Sequence, residues 1–240
     1  MNNRTIIFNN INGLERFGLM VDQADIQSPS KRETRQTLPY LSGDYNFSKV
    51  MGFNTFESKN IVYTCQLIER DSTDLDKILT EINSWLLVPI EAVLQDTATP
   101  NYHYVGDCTS VVPASNEDGY CELTITFKVQ PFKISNNDVS MLEWDSINFD
   151  ADYLTQTEFS IKGGGTIILH NEGAEAVEFT CVHNVADLSV KVGNTTYILS
   201  SGTKAAFKLK PGDTEVEIVG FGCDSSVSPL LVIKYNRLEL

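Results

Sequence analysis

Residues 38–63 read LPYLSGDYNFSKVMGFNTFESKNIVY, and this stretch decides how the chain is organised. It opens on a turn cluster, Ser42-Gly43-Asp44, built from residue types that favour reversals. A loop with four aromatics follows: Tyr45, Phe47, Phe53 and Phe56. The chain then enters a strand at 61–68, IVYTCQLI, rich in β-branched and aromatic residues. Aromatics in a loop are costly in water unless a core or a partner surface covers them. No catalytic grouping accompanies these four, so they point to packing or contact.

Outward from this stretch, alternation of apolar and polar residues dominates. The clearest case is 121–129, CELTITFKV, apolar at every odd position and polar at every even one. One face of such a strand must be buried and the other wet. The same pattern predicts strands at 5–8, 19–24, 61–70, 88–94, 102–108, 165–170, 177–181, 188–192, 196–199, 205–209, 215–219 and 231–235. Gly193-Asn194 and Pro211-Gly212-Asp213 supply turn chemistry between them.

One helix interrupts the strands, at 73–87, TDLDKILTEINSWLL. Leu75, Ile78, Leu79, Ile82 and Leu86 share one face at helical spacing. Asp74 and Asp76 favour its N-terminal end, and Pro89 closes it. Alternation is lost between 132 and 156, an acidic, Asn-rich stretch carrying Trp144, Phe149 and Tyr153. The expected organisation is mainly β in two domains. An N-terminal β-sandwich or split-barrel-like domain covers 1–134 with the one amphipathic helix, 135–156 connect, and a C-terminal β-sandwich covers 157–240.

A hydrophobic share of 42% with 21% charged residues is that of a folded domain, not a disordered one. No apolar run reaches the roughly 18 residues needed to span a bilayer, and residues 1–6 lack the apolar core of a secretion signal. No membrane association is expected. The five cysteines include no close pair and sit mostly in apolar runs, as buried reduced thiols do. A bridge between Cys108 and Cys121 across a hairpin is the alternative. Net charge is −14, spread evenly over the two halves, which argues against specific nucleic-acid binding.

Candidate chemistry is sparse. Gly163-Gly164-Gly165 precedes a strand, not a helix, so it reads as a strand entry rather than a phosphate cradle. His170, Cys181 and His183 are too few for a zinc site and lack a fourth partner nearby. Glu215/Glu217 and Glu172/Glu175 read as the wet face of a strand and a turn, not as an acid/base pair. Catalytic, cofactor and metal sites are therefore not expected. Lys31, Arg32 and Arg35 form the basic cluster of the sequence, either a solvated loop or a place where an acidic copy of the chain could dock.

The order of features resembles the distal tail protein (Dit) family of long-tailed bacteriophages. Residues 17–21, FGLMV, look like that family's early glycine-hydrophobic strand. The turn and aromatic loop at 41–48, LSGDYNFS, resemble its Gly-Asp/Arg turn, and 56–63, FESKNIVY, its aromatic-to-strand step. The helix with Trp85-Leu86, the Tyr102-His103-Tyr104 strand and the strand ending FKVQPF at 127–132 continue the order. Residues 165–173, GTIILHNEG, look like the strand-Asn-x-Gly element that opens its C-terminal sandwich. Two departures stand out: Pro39 is displaced from the family's turn, and no glycine follows Asp44.

The resemblance implies a non-enzymatic structural protein at the virion tail tip, made in the bacterial host cytoplasm. It implies an N-terminal β domain that forms a hexameric ring and a galectin-like C-terminal sandwich outside it. The implied partners are copies of the chain itself, the tail tube protein, the tail-associated hub protein and receptor-binding baseplate proteins. DNA would pass through the ring without being bound specifically. On this view Tyr45, Phe47, Phe53 and Phe56, with Lys31, Arg32 and Arg35, form a subunit interface. The alternative function is a carbohydrate-binding module for host-surface recognition. Against it, residues 154–240 hold no Trp to stack on a sugar.

Overall fold

The computed structural model describes residues 4–37, 39–40, 42–49, 55–68, 72–117, 120–138, 140, 156–161, 164–186, 188–221 and 230–240. Two compact units result, one running to Lys133 and the other covering Ile134–Glu239, each with its own core. Among the described residues no helix is long and apolar enough to cross a membrane.

The first unit contains β1 (Ile6–Phe8), β2 (Ile11–Asn12), α1 (Gly13–Phe17), β3 (Leu19–Ile26), β4 (Arg35–Thr37), β5 (Asp44–Asn46), β6 (Lys59–Ile68), α2 (Ser72–Leu87), β7 (Ala92–Asp96), β8 (Tyr102–Glu117) and β9 (Tyr120–Val129). Seven strands form one antiparallel sheet in the order β2-β1-β7-β8-β9-β6-β3, while β4 and β5 pair only with each other. Alternation sets the buried face: Cys121, Leu123, Ile125, Phe127 and Val129 are at most 1% exposed. Phe8 and Phe127 lie three strands apart in the sheet, yet their ring centroids are 5.2 Å apart. Flat strands spaced ~4.8 Å would keep them far from contact, so the sheet curls around its core.

Helix α2 closes the open side, burying Leu75, Ile82, Trp85 and Leu86. Trp85 Nε1 donates to the Phe8 carbonyl at 2.9 Å, and its ring packs on Phe17 at 5.1 Å. Phe17 belongs to α1, a helix that periodicity could not reveal because it has five residues. Local chemistry makes it: Asn12 Oδ1 accepts from the Leu14 and Glu15 amides, and Gly18 ends it at φ 70°. Asp96, 2% exposed, accepts from Arg4 Nε at 3.0 and 3.2 Å and from the Ala98 amide at 2.8 Å.

The second unit contains β10 (Lys133–Asp138), β11 (Glu158–Ser160), β12 (Gly165–Asn171), β13 (Thr180–His183), β14 (Leu188–Val192), β15 (Thr195–Leu199), β16 (Thr203–Lys204), β17 (Gly212–Phe221), β18 (Leu230–Lys234) and β19 (Asn236–Glu239). Two four-stranded sheets, β11-β18-β13-β16 and β12-β17-β14-β15, face each other across Phe159, Leu169, Phe179, Leu188, Val190, Val216, Leu231 and Ile233. This is sandwich-like packing. Asn171, 1% exposed, donates to the Glu175 and Leu209 carbonyls and accepts from the Gly173 amide. A Cβ at Gly173 would meet Asn171 Oδ1 and the Leu238 carbonyl at 3.0 Å, which accounts for the Asn-x-Gly order.

Several expectations differ from the structure. The strand expected at 88–94 lies at Ala92–Asp96, because Pro89 cannot donate to a ladder and Glu91 takes φ 45°. Residues 135–138, expected within the connecting segment, belong to β10 (Lys133–Asp138), which pairs with β19. Of the strand expected at 205–209 only a bridge between Leu209 and Val177 forms, and 177–181 becomes β13 at Thr180–His183. Cys65, Cys108, Cys121 and Cys181 are free and buried. Cys108 stands opposite Phe127 and Cys121 opposite Asn116, so the register keeps them from bridging. Cys223, Trp144, Phe149 and Tyr153 lie outside the described residues.

Candidate subunit interface

Beyond Ile26 and before Lys59, β3 and β6 leave the core and continue as a two-stranded arm. Backbone bonds hold it in steps: Gln27 N to Asn60 O at 3.2 Å, Glu57 N to Ser30 O and Arg32 N to Thr55 O, both at 2.8 Å, and Phe47 N to Thr34 O at 2.8 Å. Side chains stitch the gaps, with Thr34 N donating to Ser48 Oγ at 2.7 Å and Thr37 Oγ1 to Asp44 Oδ1 at 2.9 Å. Near the tip, Gly43 adopts φ 91°, which a side chain would resist. Every described residue from 25 to 47 except Pro29 is exposed. Ten residues separate Gln27 from Thr37, a reach of up to ~33 Å at strand rise.

The arm has no core of its own, and an isolated two-stranded ribbon is marginal in water. Tyr45 and Phe47 sit on it with ring centroids 6.0 Å apart, 51% and 41% exposed. The structure brings these two expected interface residues together. Phe56, at the arm's root, is half-buried and packs edge-on against Phe132 at 5.6 Å. Phe53 lies outside the described residues. Lys31 bridges to Phe56 at that root, Arg32 is exposed beside it, and Arg35 Nε donates to Glu33 Oε2 at 2.9 Å.

The weaker candidates fall apart in space. His170 is on β12 and Cys181 on β13, in different sheets. His170 Nδ1 pairs with Asp213, while the two ring nitrogens of His183 lie 3.0 and 2.9 Å from the Val185 and Leu199 carbonyls. Among the described residues no group of three or more His, Cys, Asp or Glu is placed to hold a metal. Glu217 pairs with Lys191 at 2.9 Å on the wet face of β17. Glu172, 9% exposed, stands 3.5 Å from Arg237.

A second basic cluster escaped the sequence, because its members are far apart along the chain. Lys204, Lys208 and Lys234 line an open groove of about 490 Å³ with Glu178, Tyr235 and Leu238. Glu178 takes a 2.6 Å bond from Lys204 and lies 3.8 Å from Lys208, which holds its carboxyl below the usual range. Its charge is thus answered within the groove. In the other unit, burial pushes the Cys65 and Cys108 thiols up to about 12 and raises the Tyr63 phenol strongly.

Among the described residues these features define a mainly β chain of two units, with one long helix and an exposed aromatic arm. No protein-family model matches it, and no curated protein matches it in sequence. Among solved structures it is similar to the SPP1 Dit protein, described as a paradigm of the hub adsorption apparatus in phages that infect Gram-positive bacteria. The TM-score is 0.64 at 13% identity, covering 97% of this chain and 98% of that one. Chains of the phage p2 baseplate in its activated conformation with Sr and with Ca give TM-scores of 0.44 and 0.43 at 8% identity, covering 98% and 96% of this chain and 98% and 97% of theirs. The likeness to SPP1 Dit establishes a shared fold along nearly the whole chain.

Proposed function

We propose that this chain is a non-enzymatic structural component of a phage tail tip, forming a hexameric ring at the distal end of the tail tube. The ring joins the tube to the tail-associated hub protein and to receptor-binding baseplate proteins. Residues 1–134 form the ring, 135–156 connect, and 157–240 form a galectin-like sandwich outside it. The observation that carries this reading is the exposed Tyr45–Phe47 arm on a fold shared nearly end to end with SPP1 Dit. A ring needs unlike surfaces on each subunit that meet and close by rotation. Tyr45 and Phe47 supply the aromatic anchor such a contact favours. The net charge of −14 suits a lumen through which DNA passes without adhering, since like charges repel over ~8–10 Å at physiological salt.

Light scattering on the purified chain and on the Tyr45→Ser/Phe47→Ser variant tests this function. The expected result is an oligomer for the native chain and a folded 26.7 kDa monomer for the variant. An oligomer mass that the double substitution leaves unchanged would refute the role given to the arm.

A further inference from the structure

Immediately after α2, the chain exposes an apolar run: Leu87 at 45%, Val88 at 72%, Ile90 at 89% and Val93 at 44%. Four large aliphatics in seven residues is an unusual loss of burial, because Val88 or Ile90 alone would gain from being covered. The backbone here is pinned. Glu91 takes φ 45°, its amide donates to Asp107, and its carboxylate accepts from Gln130 Nε2 at 2.9 Å. The run is therefore a fixed knob carrying two acids, Glu91 and Asp107. Lys128, opposite Asp107 in the ladder, is the base beside them.

Strand register locates this knob relative to the arm. Ala92 pairs with Gly106, Gly106 with Val129, and Val129 with Lys59. These four residues stand in one row across β7, β8, β9 and β6. The knob enters the row at Ala92 and the arm leaves it at Lys59. Both lie at the same end of one sheet, three strand spacings apart, or ~14 Å measured along its curved surface. The knob lies toward one edge and the arm toward the other.

We infer that the Leu87–Val93 knob is the seat for the arm of the next copy of this chain. The inference rests on the ring reading and supplies the second of the two unlike surfaces that a head-to-tail contact requires. The arm offers Tyr45 and Phe47, with Lys31 and Arg32 nearer its root; the seat offers Val88 and Ile90 beside Glu91 and Asp107. Apolar surface meets apolar surface, and cations meet carboxylates, which fixes orientation. The seat is not taken by the chain's own arm, since the side chains of both remain exposed.

A mixing experiment tests this. Val88→Asp/Ile90→Asp destroys the seat and leaves the arm; Tyr45→Ser/Phe47→Ser does the reverse. Because all four side chains are exposed, both variants keep the melting temperature that the native chain shows when diluted to monomer. Each variant alone self-associates roughly 100-fold more weakly or worse, the loss typical of removing an apolar anchor pair. Mixed, they form a 1:1 heterodimer and stop, since one intact arm still finds one intact seat. In addition, p-benzoylphenylalanine at position 47 of the native chain cross-links to a peptide containing 88–93 of another copy. Oligomers of unaltered mass from the seat variant, or cross-links to another surface, overturn the seat while leaving the ring reading intact. A native chain monomeric at every soluble concentration, with no cross-links between copies, overturns both.

Discussion

The pair between Arg4 and Asp96 ties the start of the first unit to β7, and Asp96→Ala removes it. The carboxylate is 2% exposed and accepts from Arg4 Nε and Nη2 and from the Ala98 amide; the Arg4 side chain is 23% exposed. Breaking a fully buried pair costs about 3–5 kcal/mol, because the surviving charge is left uncompensated. Water still reaches part of the guanidinium here, so the cost falls to about 2–3 kcal/mol. For a unit of this size each kcal/mol moves the midpoint by roughly 3–5 °C, giving a drop of roughly 6–15 °C. Asp96→Asn keeps an acceptor and the volume and loses about half as much. The assay is thermal unfolding followed through Trp85 fluorescence in a Trp144→Phe background, with calorimetry alongside. A midpoint within 2 °C of the native value for Asp96→Ala would refute the reasoning.

Three further outcomes follow from the same unit. Gly106→Ala places a Cβ 2.3 Å from the Lys128 carbonyl and 2.6 Å from Val129 Cα, so β8 must part from β9; a loss of about 3 kcal/mol or more in urea unfolding is expected. Cys65 and Cys108, with thiols pushed up to about 12, expose ~10³-fold less thiolate than an ordinary cysteine, so alkylation at pH 8 followed by mass spectrometry labels them only after unfolding. Native-state labelling at a free-thiol rate would contradict this. The Tyr63 hydroxyl is buried with no hydrogen-bond partner among the described residues, and burial raises its phenol above the unfolded value. The folded state thus holds its proton longer: this contribution is complete below about pH 10 and is lost as pH rises beyond it. Tyr63→Phe should leave neutral-pH stability unchanged or higher and flatten the alkaline fall in unfolding midpoint.

The legible parts of the fold were those where one period holds over a whole element. The 121–129 strand and the 73–87 helix each bury one face, so their side chains spell out the geometry. Strand β8 was legible only to Cys108, since bulges between Cys108 and Ser110 and between Pro113 and Ser115 switch faces and erase alternation up to Glu117. The arm's length was hidden for another reason: the described residues from 25 to 47 are exposed apart from Pro29, so no hydrophobic pattern marks their pairing. Its aromatics were visible, yet only the structure separates Tyr45 and Phe47, which face solvent, from Phe56, which packs against Phe132. Val88 and Ile90 read as strand interior because apolar residues look alike in sequence wherever they end up. The Lys204, Lys208 and Lys234 cluster exists only once strands bring distant positions together.

Negative-stain microscopy of the purified native chain at high concentration probes the central claim most directly. Closed rings of regular size in class averages are expected. Single particles at every concentration, with Tyr45 and Phe47 packed against their own unit, would contradict it.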